Sequence, residues 1–143
     1  VPFSGVLRNP YLSVSRNPRD SSIELHRLAD DWFFSKFKIR FRSAALFGNG
    51  NSSVVAKYVD ADHRAISLMP RGEFTICYSP NCVDMYEHFK AIGRHPWSRE
   101  KVFVELDSLD YMVGSDELWA GALQSGCEIM MYAQEFIYQH EEL

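Results

Sequence analysis

Apolar positions recur with two different periods along the chain and divide it into short strands and short helices. Residues 11–16 alternate, with Tyr11 or Leu12 and Val14 as inward positions, and predict a strand that Asn17-Pro18-Arg19-Asp20 breaks. Ser21 and Glu24 form a capping box. Leu25, Leu28, Ala29, Trp32 and Phe33 follow at helical spacing, predicting a helix over 22–36. Ile39-Arg40-Phe41-Arg42-Ser43 alternates again, with residues 39, 41 and 43 on one face, and Ala44 to Phe47 prolongs that strand. A turn at Gly48-Asn49-Gly50-Asn51 leads, through a cap at Asn51 or Ser52, into a short helix carrying Val54, Val55, Ala56 and Tyr58.

Two strands at 64–69 and 74–78, joined by Pro70-Arg71-Gly72, read as a hairpin. Ser79-Pro80 reads as the start of a helix using Val83 or Met85, Tyr86, Phe89 and Ile92 and stopping before Gly93. Ser98 caps a helix that runs to Leu109, and residues 111–113 form a short strand. Ser115 caps the last helix, with Asp116 and Glu117 in its first turn and Gly126 at its left-handed stop. Glu128 then opens two apolar strands, 129–132 and 135–138, before a frayed tail from His140. The expected fold is α+β: a single compact domain over residues 1–143, with two small, twisted, mostly antiparallel sheets and flanking short helices.

Composition changes this picture little. With 143 residues, 46% hydrophobic and 14% aromatic, the chain can build one real core. No apolar run is long enough to span a bilayer, and the first residues lack the pattern of a signal peptide, so a soluble cytoplasmic protein is expected, in the producing or a target cell. Three cysteines without a tight pattern argue against a disulfide framework or a zinc site. Charge adds more. Residues 1–72 carry 11 Lys and Arg against 6 Asp and Glu, whereas residues 73–143 carry 4 against 13. The basic half suits a phosphate-bearing ligand, and the acidic half supplies a carboxylate.

Glu128 is the candidate catalytic carboxylate, because the start of a buried strand holds a side chain rigidly yet lets it face outward. Arg16, Arg19 and Asp20 lie in the break before a helix N-terminus, where forked guanidinium donors and the helix end suit a pyrophosphate. The Gly-Asn-Gly turn lacks both the Walker spacing and the dinucleotide fingerprint.

Taken in order, Arg16 after an early strand, Phe41-Arg42-Ser43-Ala44-Ala45-Leu46-Phe47, and Glu128 opening Ile129-Met130-Met131-Tyr132 resemble the arginine–serine–glutamate layout of the mono-ADP-ribosyltransferases, which include bacterial toxins and phage enzymes. The resemblance spans residues 12–138. It implies NAD as substrate, with Arg16 (or Arg19) holding the pyrophosphate, Ser43 positioning the glutamate and the nicotinamide side, Phe47 near the nicotinamide, and Glu128 at the nicotinamide ribose. Arginine-modifying members carry a second acid two residues before the glutamate, and here that position is Gly126. The implied acceptor is therefore another protein side chain, a nucleic acid, or water, the last making the protein an NAD glycohydrolase. A toxin, effector or phage-related factor of this kind would have a cognate antitoxin or immunity protein as partner.

Two readings of other classes compete. A non-catalytic interaction protein would present Trp97, Trp119 or Tyr138 as interface anchors. A cysteine hydrolase would pair Cys77 or Cys82 with His88 or His95.

Overall fold

The computed structural model describes residues 4–18, 22–93 and 96–141. Its frame is two long antiparallel strands, β3 (Ala65–Tyr78) and β5 (Ile129–Glu141), paired from Ala65↔Glu141 to Tyr78↔Ile129. Three short strands complete an open five-stranded sheet. β1 (Ser4–Arg8) and β2 (Leu46–Gly48) lie end to end along the free edge of β5, and β4 (Met112–Gly114) pairs with the last residues of β3. The α+β class therefore holds, in one sheet rather than the two expected.

The single sheet follows from two corrected elements. The segment 70–72 is not a hairpin turn: β3 runs through it, and an irregularity between Arg71 and Phe74 absorbs Gly72 at φ 80°. Over residues 65–71 β3 pairs with β5 alone, and such an edge tolerates Pro70. β5 likewise runs unbroken through Ala133 and Gln134 and takes in His140 and Glu141 from the expected tail. Asn9, 1% exposed, stands between β1 and β2. Its backbone N–H donates to the Gln134 carbonyl at 2.8 Å, and its side-chain amide donates to the carbonyls of Ala133 and Ala44 at 3.0 and 2.8 Å.

The helices form where local signals are strongest. α1 (Ile23–Phe37) matches the expected 22–36. Its cap is Ser22, whose Oγ accepts the Leu25 N–H; Ser21 of the expected capping box lies outside the described residues, and Glu24 accepts the Trp97 N–H at 2.9 Å. α3 (Ser52–Ala56), α5 (Arg99–Asp107) and α6 (Asp116–Ser125) also lie where expected. α4 (Met85–Ile92) starts late, capped by Asp84, which leaves Val83 exposed. Residues 11–16 are not a strand: Pro10–Leu12 is a 3-10 turn capped by Asn9, and Val14 is exposed.

Side chains alternate across the sheet, so each face gathers its own core. On one face Cys77 and Met130 pack with Leu25, Trp32 and Phe33 of α1 and with Phe89, Val102 and Leu106 of α4 and α5. On the other, Ile76, Tyr78, Ile129, Met131 and Phe136 pack with Leu118, Trp119 and Ala122 of α6. Among the described residues no helix is long and apolar enough to cross a membrane.

Candidate active site

The chain between α1 and β2 decides the site. The alternation of residues 39–43 predicted a strand, but Phe41–Ala44 is a single helical turn, α2, in which Phe41, Arg42 and Ser43 are all buried. Two causes override the pattern. Lys38 ends α1 in the left-handed conformation (φ 64°), turning the chain back on itself. Asp30 of α1 then accepts the Ser43 backbone N–H at 3.0 Å and the Ser43 hydroxyl at 2.8 Å, fixing the turn. Phe41 closes it from the other side, edge-to-face on Phe33 and Phe37.

This turn sends Arg42 towards the mouth of β5. Arg42 Nη1 donates to Glu128 Oε1 at 2.6 Å, a short, charge-assisted contact between side chains 8% and 18% exposed. The same nitrogen lies 3.5 Å from the Met130 sulfur, and Arg42 Cζ sits 4.3 Å from the Phe47 ring centroid. Burial is the largest influence on the Arg42 pKa and lowers it, but the charge and hydrogen bond of Glu128, together with Tyr111 and Cys82, leave the pKa raised. Arg16 approaches the same ring, with Cζ 4.0 Å from the Phe47 centroid and its backbone N–H donating to the Ser43 carbonyl at 2.8 Å. Two guanidinium groups thus share one aromatic ring, each such contact worth about 0.5–2 kcal/mol.

Glu128 is anchored at its backbone as well. Its N–H donates to the Val83 carbonyl at 2.8 Å. Just before it, Gly126 ends α6 at φ 69°, and its carbonyl accepts from the Asn49 side-chain amide at 2.9 Å. The 48–51 turn presses so closely on α6 that a Cβ on Gly50 would lie 2.2 Å from the Leu123 carbonyl oxygen.

Of the expected site residues, Arg16, Phe47 and Glu128 therefore surround one place. Ser43 lies next to it in the chain, but its hydroxyl is committed to Asp30 and not to Glu128. Arg19 and Asp20 lie outside the described residues. Arg42 is the residue that sequence reasoning missed. Alternation put it on the face opposite Ser43, and its one signal was a charge inside an apolar run. His26 is a second buried polar group nearby, its pKa lowered by burial and then by the Arg42 charge.

The alternative nucleophiles sit differently. Cys77 and Cys82 are buried, and burial pushes both thiols up, Cys82 to about 11, although Tyr111 donates a hydrogen bond to it. His88 is bound to Glu105 at 2.6 Å, and His95 lies outside the described residues. Trp97 packs edge-on against Phe89 and Trp119 against Phe74, so these two rings are internal contacts. Among the described residues no three His, Cys, Asp or Glu side chains converge as metal ligands.

Compared with protein-family models, curated proteins and solved structures, the chain matches none.

Proposed function

We propose that the protein is an NAD-dependent mono-ADP-ribosyltransferase that acts in the cytoplasm of the producing or a target cell. It would break the nicotinamide–ribose bond and pass ADP-ribose to a macromolecular acceptor. The observation that supports this reading is the meeting of Arg16, Phe47 and Glu128, from three distant parts of the chain, around one guanidinium–carboxylate pair.

The chemistry suits those groups. When the bond breaks, its electron pair leaves with nicotinamide and positive charge develops on the ribose. A fixed carboxylate facing C1′ stabilises that charge. Glu128 is the carboxylate for this role. Arg16 supplies forked donors for a pyrophosphate, and the Phe47 ring between the two cations holds both guanidinium groups beside Glu128. With Gly126 two residues before it, Glu128 works as the single acid, so a nucleophile other than arginine completes the transfer.

Incubation with NAD tests the proposal. The wild type releases nicotinamide, and Glu128→Gln lowers the rate by about 10²–10³-fold. No release by the wild type, or equal release by the variant, would sink it. Labelled NAD offered with cell protein and with nucleic acid then identifies the acceptor. Label appearing solely as free ADP-ribose would make the protein a glycohydrolase.

A further inference from the structure

We infer that Arg42 is the residue that positions the Glu128 carboxylate, in the place that the resemblance to the mono-ADP-ribosyltransferases implied for Ser43; this rests on Glu128 being the catalytic carboxylate. Ser43 is occupied elsewhere, because both its N–H and its hydroxyl bind Asp30 on α1. Arg42, one residue earlier on the same helical turn, makes the 2.6 Å contact to Glu128 Oε1. Among the described residues Oε2 makes no hydrogen bond, which leaves that oxygen for the sugar.

Arg42 is itself held on every side that matters. Its backbone belongs to a turn pinned by Asp30, its guanidinium lies 4.3 Å from the Phe47 ring centroid, and its Nη1 is 3.5 Å from the Met130 sulfur. An arginine cannot lose its charge in a protein, so the guanidinium side of the contact does not titrate. The two halves of the pair come from positions 86 apart in sequence, on α2 and at the start of β5. Asp30 and Ser43 thus act indirectly: they aim Arg42, and Arg42 aims Glu128.

Positioning and binding part company in kinetics. Arg42→Lys keeps a positive charge but loses the planar fork, so kcat for nicotinamide release falls by about 10²-fold, the cost of a displacement near 1 Å, while KM for NAD stays the same. Arg16→Ala instead raises KM. Ser43→Ala, checked for folding by its melting curve, keeps more of the wild-type kcat than Arg42→Lys does. Guanidinium ion at millimolar concentration restores release to Arg42→Ala and not to Glu128→Gln. In the double variant with Glu128→Gln, Arg42→Lys lowers the rate no further than Glu128→Gln alone. A rise in KM with kcat intact in Arg42→Lys, or additive losses in the double variant, would overturn the inference. If the wild type released no nicotinamide, the catalytic reading would fail by itself. The pair would then be judged by thermal unfolding of Arg42→Met, Glu128→Gln and the double variant. Strong coupling supports it, and additive effects overturn it.

Discussion

The two ends of the sheet are built from the same pair of long strands, yet they treat polar groups in opposite ways. Where residues 74–78 pair with 129–133, helices cover both faces and the polar groups are buried in partnerships, Arg42 with Glu128 and Asp30 with Ser43. Where residues 65–71 pair with 135–141, Val6, Ile137 and Met69 stand in register across three strands and are 49%, 50% and 53% exposed. Their neighbours in the next row are Arg8, Glu135 and Arg71. The open end guards its edge with Pro70, two charges (Arg71 and Glu73) and the bulge. Chemistry that needs fixed groups belongs at the covered end, because rotamers there are locked by packing.

Substitutions should separate the two ends in a graded way. The largest effect is expected from Phe33→Ala in the covered core, a loss of about 3–5 kcal/mol in urea unfolding. A loss below about 1 kcal/mol would mean that α1 does not anchor this end. Ser43→Ala removes one partner of a buried hydrogen bond and should cost about 1–2 kcal/mol by the same measurement. No change would mean that the hydroxyl adds nothing to the turn, which the Ser43 backbone N–H on Asp30 would then hold.

Acid gives a third test. Burial, and then the Arg42 and Arg16 charges, lower the His26 pKa below 6.5, while Asp30 pulls the other way. The unfolded chain therefore binds the proton first as pH falls. This contribution is fully present above about pH 6.5 and is lost as the pH drops towards the folded-state value. Melting temperature should decline from pH 7 to pH 5, and less steeply in His26→Gln. Parallel profiles for the two proteins would contradict this. The smallest effect is expected at the open end, where Ile137→Ser should change stability by no more than about 0.5 kcal/mol. A larger loss would mean that this face is covered in solution.

The sequence was most legible where the cause of a structure is local. Caps and apolar spacing placed α1 and α5 to within a few residues, because a helix is set by contacts three and four positions apart. The Gly126 stop placed α6, although the Ser115 hydroxyl donates to the Phe74 carbonyl and does not cap it. It was least legible where a distant partner decides. Residues 39–43 alternate like a strand, and the left-handed Lys38 together with Asp30, brought alongside by the length of α1, makes them a helical turn. Pro70-Arg71-Gly72 looks like a hairpin turn until β5 runs past its whole length. The site divided along the same line. Glu128 could be named from its place before a strand, whereas Arg42 acquires its meaning only when α2 meets β5.

Binding is the most direct test of the covered end as the NAD site. Backbone amide NMR signals would be followed while a non-cleavable NAD analogue is added. Signals from Arg16, Arg42, Phe47, Cys127 and Glu128 should move together along one saturating curve, and those of Val6, Met69 and Ile137 should stay fixed. Movement confined to the open end, or none at millimolar analogue, would contradict the account.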